Sequence, residues 1–159
     1  MSVNTASGAK ISIGPTTAAS NATEYGALTP WVEIGEVQNL GEFGDQSNDV
    51  TFTSLSDGRV RHLKGARDAG VLALVCGRDP LDAGQVAVRA AEKTKFAYAF
   101  KIEAADAPDE DHTDSVFYFH ALVQSARDNF GENDAVVTST FNLGITTAII
   151  EVPAAEVTP

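Results

Sequence analysis

Apolar and polar residues alternate with a period of two in several stretches of this chain, the pattern of strands with one face buried. Trp31 to Leu40 is the first long instance, and it carries a defect. Val32 and Ile34 alternate with Glu33 and Gly35, but the next apolar residue is Val37 rather than Glu36. One extra residue at Gly35 restores the alternation, and an isolated glycine inside a strand marks a bulge. Val32, Ile34 and Val37 are then expected to face a core, with Glu33, Glu36 and Gln38 facing away. Val50 and Phe52 against Thr51 and Thr53 predict a second half-buried strand. KFAYAFKIE puts Phe96, Tyr98, Phe100 and Ile102 on one side, and NDAVVTSTFNLG puts Thr138, Thr140 and Asn142 on a polar side. AKISIG and ITTAIIEV predict short first and last strands.

Two continuous apolar runs, VLALVC (71–76) and SVFYFHALVQSA, suit strands covered on both faces. RDPLDAGQVAVRAAEKTK departs from the β pattern. Asp79 is a good N-cap, Pro80 suits the first helical position, and Leu81, Gly84, Val88 and Ala91 fall near one face. One helix is predicted over about 80–93. Six to eight strands and one helix give a mainly β protein: two packed antiparallel sheets, sandwich- or barrel-like, with the helix on their flank. Residues 1–10 read as a flexible arm, 11–152 as a single domain, and 153–159 as a flexible tail. GPTTAASNATEYGALTP reads as loop.

A chain of 159 residues suits one core. Its single cysteine, Cys76, excludes an intrachain disulfide and is most simply a core residue. No run reaches the length of a membrane span, and MSVNTASGAK lacks the apolar stretch of a secretory leader. The formal net charge of −11 opposes any general grip on nucleic acid.

Chemistry is sparse. His62, His112 and His120 have no zinc-ligand spacing, and Cys76 has no CxxC partner. APDEDHTD matches a calcium loop in composition only, and GEFGDQ lacks the ending of a phosphate loop. His120, inside a strand, reads as a structural histidine. No catalytic, cofactor or metal residues are assigned, and an enzyme is not expected. One local feature stands out: Arg59, Arg61, Lys64 and Arg67 hold four of the chain's 11 lysines and arginines in what reads as one loop. Such a patch can meet an acidic surface of another subunit.

GARDAGVLALVCGRDPLDAGQVAVRAAEKTKFAYAFKIE resembles the centre of the major tail tube proteins of long-tailed bacteriophages. The shared pattern is Asp68-Ala69-Gly70 before a strand, Asp82-Ala83-Gly84-Gln85 opening a helix, then Lys95, Phe96 and Phe100. FYFHALVQSARDNFGENDAVVTSTFNLG is similar to the family's closing hairpin, ending at Gly144. The Trp31 strand, its glycine-rich turn and VTFTSLSDG are similar to the family's first long hairpin and stacking loop. The resemblance covers roughly residues 30–145; residues 15–29 correspond to no part of it.

This resemblance implies hexameric rings stacked into a tube, with strands from each subunit joining an inner barrel. DNA would pass through without specific binding. Glu33, Glu36, Thr51 and Thr53, with Thr138 and Thr140, become candidates to line the channel. Arg59, Arg61, Lys64 and Arg67 become candidates for ring-to-ring contact. The implied partners are further copies of the chain, a tape measure protein, and tail terminator or tail tip proteins. The implied location is the virion tail, assembled in the bacterial host cytoplasm, with no membrane contact. The alternatives are a tube subunit of a secretion, injection or gene-transfer particle, and a soluble β-sandwich binding module.

Overall fold

The computed structural model describes residues 3–157. Along these run β1 (Lys10–Ile13), α1 (Ala22–Ala27), β2 (Val32–Ile34), β3 (Val37–Asn39), β4 (Gln46–Thr53), β5 (Val60–Asp68) and β6 (Val71–Gly77). Then come α2 (Ala83–Glu92), β7 (Tyr98–Glu103), β8 (Val116–Asn129), β9 (Thr138–Ile145) and β10 (Ile150–Val152). One antiparallel sheet has the order β2-β1-β7-β8-β9-β6-β3, with β10 added on β8; β4 and β5 form a second, two-stranded sheet. The described residues therefore hold ten strands and two helices, more of each than the sequence pattern predicts.

The two ends of the larger sheet, β2 and β3, are neighbours in sequence, parted only by Gly35 and Glu36. The strand leaves β1 at Ile34 and takes up β6 at Val37, so the sheet closes into a barrel at this seam. The expected bulge is here, and Glu36 makes the switch in a left-handed conformation, φ 58°, costing about 1–2 kcal/mol for a residue with a Cβ. Ile34 is buried, Val32 and Val37 half-buried, and Glu33, Glu36 and Gln38 exposed, as the alternation predicts. The core inside the barrel includes Ile11, Leu72, Leu74, Phe100, Phe141 and Leu143, with Phe119 stacked on Phe100 at 5.8 Å.

The helix starts three residues later than predicted. Asp82, not Asp79, is its N-cap: its carboxylate accepts from Gln85 N (2.9 Å) and from Gly35 N (3.0 Å). Asp79 instead accepts from Leu81 N in the preceding turn. A tertiary partner across the seam decides between two chemically equivalent caps. Gln85 is fully buried; its amide donates to Gly35 O (3.0 Å) and Gly77 O (2.9 Å), and its carbonyl accepts from Asp79 N. Gly84 lies against β2, where a Cβ would collide with Glu33 O and the Ile34 backbone. Asp82-Ala83-Gly84-Gln85 is thus a clip that locks the barrel seam.

Further along α2, Arg89 grips Asp128 at the end of β8 (2.7 and 3.3 Å), and Ser139 donates to the same carboxylate (2.6 Å). The Arg89 hydrogen bond, then that of Ser139, holds the Asp128 carboxyl below the usual aspartate range. A group with a depressed folded pKa stabilises above its unfolded value and loses that contribution as the pH falls through the folded value. Asp128→Asn is therefore expected to cost about 1–2 kcal/mol at neutral pH, discounted for partial exposure. Urea titrations should show this gap closing as the pH falls below about 4. A gap unchanged at low pH would show that the carboxylate's charge contributes nothing.

Candidate assembly surfaces

β3 pairs with β6 through Val37 and Cys76, and β4 pairs with β5 from Gln46–Asp68 to Thr53–Val60. These four strands are one long hairpin, bent where barrel gives way to ribbon. The bend contains Gly41 on one strand and Gly70 on the other, both at φ 78°, a conformation that favours glycine. Arg67 pairs with Asp45 (3.2 Å) at the ribbon's root.

The ribbon corrects two expectations. Val50 and Phe52 are not core residues of this chain: they are 46% and 54% exposed, and Leu63 opposite Val50 is 56% exposed. Their alternation is real, but no element among the described residues covers it. Nor do the cations form a loop; Arg61, Lys64 and Arg67 lie on β5, and Arg59 precedes it. Leu63 is the sole large apolar residue between Val60 and Val71, too few to reveal a strand by periodicity.

Cross-strand partners share a face. One ribbon face carries Val50, Leu63, Phe52 and Arg61; the other carries Asp49, Lys64, Thr51, His62, Thr53 and Val60. The cations are interleaved with carboxylates. Arg61 pairs with Asp57 (2.7 Å), His62 with Asp49 (3.0 Å), and Lys64 stands opposite Asp49. The patch is therefore weaker as a field than its sequence suggests.

The structure gathers three of the channel candidates. Glu36 lies beside Gly77, Gly77 faces Thr138 across the β6–β9 pair, and Val75 faces Thr140. Arg127 of β8 stands on the other side of Thr140, and Asn142 donates to Ser125 (2.9 Å). This outward face of β6, β9 and β8 is small and polar, while Ser139, Phe141 and Leu143 point inward. Thr51 and Thr53 share the ribbon's polar face. Glu33 lies apart, opposite Ser12 on β1 and 3.9 Å from Lys10. VLALVC, expected to be covered on both faces, is covered on one: Leu72, Leu74 and Cys76 are buried, and Val71 and Ala73 are exposed.

Residues 15–29, predicted as loop, contain α1. Asn21 accepts from Glu24 N, and the Glu24 carboxylate accepts from Ser20 N and Oγ, a reciprocal cap. Tyr25 is fully buried, stacks on Tyr118 at 5.2 Å, and donates to His120 Nδ1 (2.7 Å). His120 Nε2 in turn donates to Thr17 O (2.9 Å), so this histidine is structural, as expected. Burial pushes the Tyr25 phenol above its ordinary value, keeping it a donor. The motif Asn21-x-x-Glu24 was the available signal. Burial, with the charge of Asp82, pushes the Cys76 thiol up to about 11, which fits a core residue. No helix among the described residues is long and apolar enough to cross a membrane.

A barrel thus extends an amphipathic ribbon that no element among the described residues covers. The chain belongs to the phage tail tube protein family, whose sequence model it matches over residues 3–149. That match includes the α1 segment. The fold is similar to a chain of the anti-feeding prophage baseplate, with 15% identity, TM-score 0.66, and 96% of this chain and 98% of that one covered. It is similar to a chain of the PVC extracellular contractile injection system's sheath–tube complex in the extended state, with 9% identity, TM-score 0.62 and 91% and 88% covered. It is similar to the SPP1 tail tube, with 16% identity, TM-score 0.58 and 94% and 78% covered. No curated protein matches the chain. The protein is a structural tail tube subunit and hence a component of the phage tail.

Proposed function

We propose that six copies form a ring, that rings stack into a hollow tube, and that the tube conducts DNA during ejection. The observation that carries this reading is the uncovered ribbon, with Val50, Phe52 and Leu63 half-exposed on one face. Two strand edges support it. Among the described residues, β7 pairs with β8 only as far as Ala121, leaving the same side of β8 without a strand from Leu122 to Asn129, and the outer edge of β4 is likewise unpaired. A neighbour's ribbon added to such an edge would extend the sheet from copy to copy and remove the exposed edges.

On this reading Glu36, Thr138 and Thr140, continued by Thr51 and Thr53, line the channel. Arg127 and Lys64 are the cations on these faces, but hydroxyls and carboxylates outnumber them, and a chain of net charge −11 repels phosphate. Tape measure, terminator and tip proteins complete the tail, which assembles in the host cytoplasm. The likeness to injection-system chains favours a second reading, a tube that carries cargo other than DNA.

Cryo-EM of the assembled particle tests the proposal, with hexameric rings and a continuous inner sheet expected. Rings of another order, or a closed dimer, would overturn it. DNA in the lumen of ejecting particles separates the two readings. Glu36→Lys with Thr138→Lys is expected to permit assembly and slow DNA passage, with added salt relieving the defect. Unchanged infectivity at low salt would remove these residues from the lumen.

A further inference from the structure

A second surface of this chain is as uncovered as the ribbon. A surface helix normally turns charged and polar residues to water. α2 does not: Ala83, Val86 and Ala90 face outward, with Leu81 just before them 90% exposed. Its charges lie elsewhere, since Arg89 is held by Asp128 and Glu92 is half-buried. The β8–β9 turn adds Phe130 and Val136, 61% and 78% exposed. Arg78 N bonds to Val137 O (2.9 Å), which brings that turn beside the entry to α2. The rim is acidic: Glu132 and Asp134 are exposed, and no salt bridge among the described residues engages either.

The ribbon's apolar face carries the opposite charge, with Arg61 beside Phe52. The two surfaces lie at opposite ends of β6, which leaves the ribbon root at Val71 and reaches Gly77 next to Arg78. Seven extended residues separate them by about 20 Å, so they cannot meet within one chain. Two complementary patches at opposite ends of a subunit make a heterologous contact that repeats head to tail.

We propose that the ribbon's Val50–Phe52–Leu63 face of one copy docks on the α2 and β8–β9 turn surface of the next copy along the tube. Arg61 then meets Glu132 and Asp134. This assignment rests on the tube reading and names the surface that receives the ribbon.

Thiol cross-linking tests it, because the native Cys76 is fully buried. Phe52→Cys or Leu63→Cys is combined with Val86→Cys or Val136→Cys, and assembled tubes are treated with a short bis-maleimide. At least one combination is expected to give a covalent ladder beyond dimer, which the single variants cannot give. Tubes that form normally without a ladder in any combination would overturn the docking and leave the tube reading standing. Should the cysteine variants fail to assemble, charge exchange decides. Arg61→Glu, or Glu132→Lys with Asp134→Lys, should each lower sedimentable tube at least tenfold. All three in one chain should recover most of it, and no recovery would overturn the pairing. A wild-type chain that stays monomeric with tail extract would sink the tube reading itself.

Discussion

A subunit carrying Phe52→Glu and Leu63→Glu will fold as the wild type does and will not form tubes. Both side chains lie on the ribbon and outside the barrel core, and both are more than half exposed in the isolated chain. Substitutions at such positions change stability by about 0.5 kcal/mol or less. Circular dichroism and thermal melting should therefore match wild type. In the assembly each lost apolar side chain removes about 1–1.5 kcal/mol of further burial, since each is already nearly half covered, and each carboxylate adds a desolvation cost. The loss recurs at every copy, so no sedimentable tube should form where the wild type converts fully. Thr51→Glu with Thr53→Glu, on the ribbon's other face, is the control and should assemble. Full-length tubes from the Phe52 and Leu63 variant would show that this face is not an interface.

Gly84→Val strikes the barrel seam. The new Cβ would overlap Glu33 O and the backbone of Ile34, neither of which can rotate away as a side chain could. Relief requires α2 to back off β2, and that motion breaks the Gln85 bonds to Gly35 O and Gly77 O and the Asp82 bond to Gly35 N. Overpacking costs about 1–3 kcal/mol, and an orphaned buried amide about 1–3 kcal/mol more. At about 2–4 °C per kcal/mol for a chain of this size, the melting temperature should fall by roughly 5–20 °C. Gln85→Leu should cost less, since the helix keeps its position and only the buried backbone partners are orphaned. A Gly84 variant melting with the wild type would mean that the helix does not seat on the seam.

What the sequence reveals follows from where each residue is buried. The barrel strands were legible because alternation reports burial, and Ile11, Ile34, Phe100 and Phe141 are buried in this chain's own core. The ribbon was misread for the same reason: Val50 and Phe52 alternate as core residues do, and periodicity does not say whose core. α1 was missed because its six residues bury a single large side chain, Tyr25, too little for a periodic signal. Its cap, Asn21 with Glu24, was readable. The start of α2 was not, because Asp79 and Asp82 are the same chemical cap, and the backbone N–H of Gly35, 47 residues away in sequence, chooses between them. Three channel candidates, Glu36, Thr138 and Thr140, were chosen singly as polar residues on strands. Their gathering on one face depends on the β6–β9 register, which no local pattern encodes.

The bend at Gly41 and Gly70 has a mechanical consequence. A backbone joint at two glycines is softer than a packed interface, because its torsions turn without breaking side-chain contacts. If ribbons tie one ring to the next, the compliant part of the filament lies inside each subunit, between barrel and ribbon. Such a filament would curve by small rotations shared among many identical joints while every docked surface stays closed. Its bending stiffness would then be set by two glycines per chain, Gly41 close against the Ala73 backbone and Gly70 in open space.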